Sequence, residues 1–181
     1  MKYNSIILSG LPCSGKSTLA SLLSQHYCWP IYSIGGIWRE RWRIDYPRAE
    51  IPFEEYWRST TPEENRKINV EARKIFEKGK IIGDSRYSSY YCSDLPALMI
   101  FVQADIEIRA KRMLNSKKCN GQTLEEIKMI LHEREKDEVD IGKKLFNGFD
   151  YRNFQYYHLT LDAGKMSPQE EFSHVLSFME K

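Results

Sequence analysis

The sequence has little of what marks a metal-binding, disulfide-linked or membrane-spanning protein. Its four cysteines form no CxxC pair, and the sequence has no set of cysteines and histidines at zinc-site spacing. No apolar run approaches the roughly 20 residues that span a bilayer, and the run at 6–8 is too short for a signal-peptide core. These absences predict a cytoplasmic protein with reduced thiols and no membrane partner.

A strong excess of charge of either sign is also missing. The 27 basic and 25 acidic residues leave a formal net charge of +2, whereas nucleic-acid binders need many cations to neutralise phosphates. Apolar residues make up 41% of the 181 positions, which is typical of a folded chain with one core. We therefore expect a single domain over 1–181, a monomer without a nucleic-acid partner.

Short apolar runs alternate along the chain with segments of helical periodicity, which is typical of β-α units around a parallel sheet. The pattern predicts an α/β fold of three layers, α/β/α, with a central parallel sheet of about five strands. The segment 45–60 has no clear period and is predicted to be irregular. The predicted strands are 5–9, 30–33, 80–83, 97–102 and 157–161, and the predicted helix caps are Ser33, Thr61, Thr123 and Ser167.

The first predicted strand leads directly into a phosphate-binding motif. The run Gly10-Leu11-Pro12-Cys13-Ser14-Gly15-Lys16-Ser17 matches GxxxxGK[ST], which chance produces in roughly one chain in a hundred or fewer. A glycine turn that merely links strand to helix is the alternative. We expect Lys16 to lie along the β- and γ-phosphates of ATP and the Ser17 hydroxyl to ligate Mg²⁺. The residues predicted to bind ATP are Gly10, Cys13, Ser14, Gly15, Lys16, Ser17 and Thr18.

This motif occurs in kinases, GTPases and ATPases, so other residues must decide among them. A guanine-binding NKxD motif is missing, because the dipeptide Asn-Lys does not occur in the sequence. A motor ATPase would need a longer chain. What remains is a small phosphoryl-transfer enzyme whose acceptor is held by arginines, since a guanidinium binds phosphate through two parallel hydrogen bonds.

Five further blocks of sequence carry a resemblance to one known family. They are Ser33-Ile34-Gly35-Gly36-Ile37-Trp38-Arg39, Asp84-Ser85-Arg86, Ile108-Arg109-Ala110-Lys111-Arg112, Arg134-Glu135-Lys136-Asp137, and Leu161-Asp162 with Met166-Ser167-Pro168. In the same order they are similar to Ser-x-Gly-x-x-aromatic-Arg, Asp-Gly-Arg, the Arg-Ala-x-Arg that starts a lid, Arg-Asp/Glu-x-x-Asp, and a closing strand and helix start. The chain thus resembles the cytidylate kinase-like branch of the nucleoside monophosphate kinases. The first block and the glycine loop are specific, and the order of the shorter blocks adds weight.

The resemblance implies a P-loop kinase fold with an acceptor-nucleotide region at 33–79 and a lid region at 112–140. The polar segment 116–121 would be the hinge of that lid. Catalytic roles fall to Lys16, Arg112 and Arg134, and Mg²⁺ ligation to Ser17 and Asp84. The acceptor-binding residues that the resemblance implies are Ser33, Arg39, Asp84, Arg86 and Asp137.

Several of these assignments have a plainer alternative. Arg134 could form only a surface pair with Glu138, one helical turn further on. Asp84 could cap a turn instead of holding a metal-bound water. The aromatic and basic segment 38–43 could stack on single-stranded nucleic acid, but Trp38 and Trp42 have the i, i+4 spacing that favours packing in a core.

Two positions depart from the family pattern. Members commonly have an arginine three residues beyond the second acid of the lid block, and bacterial members have an aspartate after the Asp-Gly-Arg arginine. This sequence has Asp140 and Tyr87 at those positions. Lys143 or Lys144 could supply a charge from one turn later, although a lysine does not match the guanidinium fork. The resemblance therefore supports phosphate binding more strongly than recognition of cytosine.

The function that the resemblance implies is transfer of the γ-phosphoryl group of ATP, with Mg²⁺, to a nucleoside monophosphate. CMP and dCMP are the leading acceptors. Two alternatives stay open: a kinase of another small anionic metabolite held by the same arginines, and a nucleotide-binding module without catalysis. Measured phosphoryl transfer would exclude the second of these.

Overall fold

A computed structural model describes residues 2–116 and 121–180. Its strands are β1 Ser5–Gly10, β2 Ile31–Ser33, β3 Ile82–Asp84, β4 Ala97–Gln103 and β5 Leu159–Asp162. They form one parallel sheet in the order β2-β3-β1-β4-β5, which confirms the predicted five-stranded α/β fold. β1 and nearly all of β4 are buried, as expected for a parallel sheet with helices on both faces.

The helices are α1 Lys16–Tyr27, α2 Ile34–Asp45, α3 Phe53–Ser59, α4 Pro62–Phe76, α5 Ser88–Tyr91, α6 Ile106–Leu114, α7 Leu124–Leu145 and α8 Pro168–Met179, with a 3-10 turn at Phe154–Tyr156. Four of the helices, α2, α4, α7 and α8, begin directly after the cap residues that the sequence predicts. Thr61, Thr123 and Ser167 each form a complete capping box with the glutamate three residues on. Ser33 caps α2 by accepting a hydrogen bond from the Gly36 amide at 3.1 Å. All four predicted caps are confirmed.

Neighbouring residues of a strand point to opposite faces of the sheet. Both faces of β1 carry apolar side chains, and helices cover both faces. On one face Leu8 packs with Leu19 of α1 and Val175 of α8. On the other face Ile7 packs with Phe76 of α4. Each such side chain, when fully buried, contributes about 1.5–3 kcal/mol to folding. These two layers hold β1, and with it the loop that follows it, in a fixed position.

The prediction that 45–60 is irregular was wrong for its second half, where α3 forms. The helix follows Pro52 and has Glu54 and Glu55 in its first turn, where the helix dipole favours acidic side chains. Its aromatic residues pack against the cluster formed by α2 and α4. Because α3 has only 7 residues, its periodicity is too short to stand out in the sequence.

The carboxyl ends of three adjacent strands meet at one edge of the sheet. Ser33 at the end of β2 is opposite Asp84 at the end of β3, and Asp84 is opposite Leu8 in β1. Ligands of open parallel sheets bind at this edge. The predicted lid hinge at 116–121 lies mostly outside the described residues. In the part of the chain that is described, no helix is long and apolar enough to cross a membrane.

Candidate active site

Two glycines shape the loop between β1 and α1. Gly10 has a φ of 140°, and a Cβ atom at this position would lie 2.0 Å from the Val102 carbonyl oxygen. Gly15 has a φ of 111° and immediately precedes α1. Residues with a side chain rarely adopt either conformation. The motif glycines are therefore required by the backbone of the loop itself.

The first turn of α1 lacks the cap that most of the other helices have. α2, α4, α6, α7 and α8 each begin with a capping side chain, whereas α1 has neither a side-chain cap nor an acid in its first turn. In the same loop, the Ser14 hydroxyl is buried and has no hydrogen-bond partner among the described residues. Uncapped helix amides and a buried hydroxyl are donors that suit a phosphate group. The loop thus fits the phosphates of a nucleotide.

Lys16 is buried against this loop, with only 8% of its surface exposed. Its ammonium group donates hydrogen bonds to the carbonyl oxygens of Gly10 at 2.9 Å and Leu11 at 2.8 Å. Burial, together with the positive charge of Arg86, lowers the pKa of Lys16 from 10.5 to about 7. Near neutral pH the charged and neutral forms of the side chain are therefore both populated.

Binding of ATP with Mg²⁺ should take up a proton at pH 8 and much less at pH 6. At pH 8 a lysine with a pKa of about 7 is mostly neutral, and nearby phosphates favour its charged form. At pH 6 it already carries the proton. Calorimetric titrations in buffers of different ionisation enthalpy measure this uptake. The Lys16→Met variant is the control, and uptake that persists in the variant would assign the proton to another group.

At the carboxyl edge of the sheet, Ser33 and Asp84 are in direct contact. The Ser33 hydroxyl donates to Asp84 Oδ2 at 3.2 Å while it also caps α2. One turn into α2, Arg39 donates to the Gly35 carbonyl oxygen at 3.0 Å, and its guanidinium carbon lies 5.2 Å from the Phe53 ring centroid. Burial, then the charges of Arg134 and Arg86, lower the pKa of Arg39. The segments 33–39 and 84–86 are thus brought together as the resemblance implies.

Glu138 of α7 is a buried carboxylate that joins two of the predicted arginines. Its side chain is 2% exposed and lies 2.5 Å from Arg86 Nε and 2.9 Å from Arg134 Nε. The Tyr151 hydroxyl donates to Glu138 Oε2 at 3.1 Å. Burial alone would raise the pKa of Glu138, but Arg86 and Arg134 outweigh burial and hold the pKa below its ordinary value. The alternative pairing of Arg134 with Glu138 is therefore present, but it is buried and shared with Arg86.

These groups form one charged cluster, in which Lys16, Arg39, Arg86 and Arg134 face Asp84 and Glu138. With Lys16 protonated, these four cations exceed the two carboxylates by two charges, and Glu54, which lies 4.0 Å from Arg134 at a more exposed position, offsets part of that excess. A buried charge without a counter-charge is costly, and several guanidinium groups in one place suit a phosphate. The charged cluster is therefore chemically complementary to a phosphorylated ligand.

Arg112, a predicted catalytic residue, is not part of the charged cluster. Its guanidinium donates to the carbonyl oxygens of Ser14 and Ala163, both at 2.7 Å, and so links the phosphate-binding loop to the segment after β5. Arg109 contacts the same loop, since it donates to the Pro12 carbonyl oxygen at 3.3 Å and pairs with Glu135 at 2.5 Å. In this structure both arginines of the block 108–112 support the loop from outside.

Sequence comparisons identify the family to which this chain belongs. The model of the cytidylate kinase-like family matches residues 5–165. The chain belongs to this family. A cytidylate kinase from Methanopyrus kandleri is 31% identical over 181 residues, covering 93% of this chain and 89% of that protein. A cytidylate kinase from Staphylothermus marinus is 26% identical, covering 97% of this chain and 96% of that protein.

Comparisons of solved structures agree on the fold of this cytidylate kinase-like chain. A shikimate kinase from Bacteroides thetaiotaomicron superimposes with a TM-score of 0.63 at 13% identity, covering 98% of both chains. A protein from Eubacterium ventriosum gives a TM-score of 0.73 at 17% identity over 99% of both chains. At these identities the likeness concerns the fold alone. Together with the family, it makes this protein a kinase with the P-loop fold.

Asp137, a predicted acceptor-binding residue of this cytidylate kinase-like chain, lies outside the charged cluster. Its carboxylate pairs with Arg58 of α3 at 2.6 Å, and both side chains are partly exposed. A second, longer contact between the same helices joins Glu54 to Arg134 at 4.0 Å. The acid of α7 that reaches the cluster is instead Glu138, one position later. Because neighbouring helical residues differ by 100° in direction, a shift of one position decides which acid faces inward.

The two departures from the family pattern also lie outside the charged cluster. Asp140 is exposed and lines a cavity of about 250 Å³ with His132, Lys136 and Lys143. It is two residues past Glu138 and thus on the opposite side of α7. Tyr87 is buried, with its ring against Phe146 and its hydroxyl donating to the Glu138 carbonyl oxygen at 2.6 Å. Neither side chain is therefore one of the charged groups that face each other around Glu138.

Proposed function

We propose that this cytidylate kinase-like protein transfers the γ-phosphoryl group of ATP to a nucleoside monophosphate, giving the diphosphate and ADP. CMP and dCMP are the leading acceptors, because the relatives described above are cytidylate kinases. The single observation that carries the proposal is the charged cluster, whose excess positive charge adjoins an uncapped, glycine-shaped helix start.

The donor phosphates bind at the loop from Gly10 to Ser17 in this proposal. Loop amides and the first turn of α1 hold them, and Lys16 exchanges its bonds to backbone carbonyls for bonds to the β- and γ-phosphates. Mg²⁺ bound with ATP would neutralise phosphate charge. The Ser17 hydroxyl and the Asp84 carboxylate are oxygen ligands of the kind that Mg²⁺ prefers, and they are our candidates to hold it.

The acceptor phosphate is held by arginines on the other side of the cluster. Arg39 in α2 and Arg86, two residues past the end of β3, are our candidates to bind it, and the region 33–79 surrounds the acceptor. Arg134, in the proposed lid region 112–140, is our candidate to stabilise charge on the transferred group. Glu138 holds Arg86 and Arg134 together, so acceptor binding and transfer depend on one carboxylate.

A nucleotide panel tests this function. ADP formation is followed at saturating ATP and Mg²⁺ with CMP, dCMP, UMP, AMP and GMP as acceptors. We expect the highest kcat/KM for CMP or dCMP. A preference for another nucleotide would overturn the choice of base and keep the reaction. No ADP above the acceptor-free rate with any of the five would overturn the proposed function.

Arg39→Ala should raise the KM for the acceptor by about tenfold or more and leave kcat within about twofold. Arg39 would bind a phosphate that is present in both the ground state and the transition state, and a hydrogen bond to a charged group is worth this much. Steady-state kinetics with the preferred acceptor give both constants. Arg43→Ala, an exposed arginine on the same helix, is the matched control. An unchanged KM for Arg39→Ala would remove Arg39 from the acceptor site.

A further inference from the structure

A second cavity lies at the phosphate-binding loop, at the end away from the Lys16 ammonium group. It has a volume of about 110 Å³ and is lined by Gly15, Thr18, Leu19, Arg112, Pro168 and Glu171. The ammonium group bonds to the carbonyls of Gly10 and Leu11, and neither of these residues lines the cavity. The cavity therefore adjoins the outer end of the loop, between α1 and α8.

Glu171 is the unusual residue of this cavity. It is only 3% exposed, and within 2–116 and 121–180 its carboxyl group has no hydrogen bond or ion pair. Burial raises the pKa of this carboxyl group to about 7. The positive charge of Arg112 acts in the opposite direction, but its effect is smaller. The carboxyl oxygens are not among the fully enclosed side-chain atoms that lack a partner, so they remain accessible from the cavity, while a carboxyl group with so little contact with water gains from a hydrogen-bond donor. Such a group in a cavity points to a ligand that supplies the missing hydrogen bonds.

The position of the cavity indicates which part of a ligand it would receive. In this motif the lysine reaches the β- and γ-phosphates, and the amides near the helix start hold the α- and β-phosphates. A nucleoside triphosphate with its γ end at Lys16 therefore directs its nucleoside toward Thr18 and the outer end of the loop. The cavity that contains Glu171 lies at that end.

We infer that Glu171 hydrogen-bonds the nucleobase of the donor nucleotide and contributes to the preference for adenine through its exocyclic 6-amino group. This inference rests on the proposed function only for the phosphate site of the donor. A carboxyl group accepts a hydrogen bond from an amino group, and close to its pKa it also supplies a proton as a donor. A base without the amino group cannot donate to the carboxyl group, so the hydrogen bond that Glu171 would accept is lost and binding is weaker.

Equilibrium binding separates base recognition from phosphate recognition. The dissociation constants of ATP, of purine riboside triphosphate, which lacks the 6-amino group, and of inorganic tripolyphosphate are measured with Mg²⁺ and without acceptor. Wild type, Glu171→Leu, Glu171→Gln and the exposed control Gln169→Leu are compared. Tripolyphosphate occupies the loop without a base, so it reports whether a substitution has damaged the loop.

We expect wild type to bind ATP about tenfold more tightly than purine riboside triphosphate. Glu171→Leu should weaken ATP binding about tenfold, remove the preference for ATP over purine riboside triphosphate and leave tripolyphosphate binding unchanged. Glu171→Gln and Gln169→Leu should stay near wild type.

Equal binding of the two triphosphates by wild type would overturn the inference without reference to any variant. Parallel weakening of ATP and tripolyphosphate in both Glu171 variants would also overturn it, since Glu171 would then only support the loop. Base-dependent ATP binding without phosphoryl transfer would leave the inference standing and overturn the proposed function alone.

Discussion

Lys16→Met should lower kcat by about a thousandfold and leave the free energy of unfolding equal or higher. The reason for the kinetic loss is that Lys16 would meet negative charge that develops on the transferred phosphoryl group, an interaction that is strong in a buried site. The protein should stay folded because methionine fills the same space without the cost of a buried ammonium group next to Arg86. ADP formation and urea unfolding measure the two effects.

The matched control for this variant is Lys165→Met, because Lys165 is exposed in the segment after β5. Its kcat should stay close to that of wild type. Turnover within tenfold of wild type in Lys16→Met would contradict the proposed donor site. If Lys16→Met does not fold, the hydrogen bonds from Lys16 to Gly10 and Leu11 are needed to hold the loop together. That outcome would contradict the expected stability of the variant.

Glu138→Ala should destabilise the protein by about 3 kcal/mol or more, the usual consequence of removing one partner from a buried ion pair. The substitution leaves Arg86 and Arg134 without their carboxylate and removes the acceptor of the Tyr151 hydroxyl. Urea unfolding measures the loss. Glu133→Ala, at an exposed position of the same helix, should change stability by less than about 0.5 kcal/mol.

Inorganic phosphate gives this experiment a second readout. An anion in the charged cluster would replace part of the missing negative charge, so phosphate should raise the melting temperature of Glu138→Ala more than that of wild type. Chloride at the same ionic strength is the control for screening. An equal response of the two proteins to phosphate would contradict the view that the cluster is an anion site.

Local signals made most of the fold predictable. The capping boxes at Thr61, Thr123 and Ser167 fix helix starts through residues three positions apart, and the buried strands appear as apolar runs. α3 escaped prediction because its stability comes from packing against α2 and α4, which a short segment does not reveal. The order of the strands likewise depends on contacts between distant segments.

The candidate site was predictable where a motif fixes the residue, and less so where tertiary packing selects it. Ser33 and Asp84 end β2 and β3, and Arg86 follows β3 by two residues, so the short strands that the sequence predicts already place all three at one edge of the sheet. Asp137 and Glu138 are adjacent acids, and only the direction of α7 shows that Glu138 is the buried one. The spacing of four between Arg134 and Glu138 was the one sequence signal for this pair.

The two ion pairs between α3 and α7 bear on how easily these helices separate. Arg58 and Asp137 are partly exposed, and Glu54 lies 4.0 Å from Arg134, so each contact is of the kind that contributes about 0–1 kcal/mol. Mobile ions weaken such contacts further, since screening at physiological ionic strength acts over about 8 Å. The buried bonds of Glu138 are screened much less by salt. Rising ionic strength should therefore loosen the outer contacts between α3 and α7 while the inner arrangement of arginines persists.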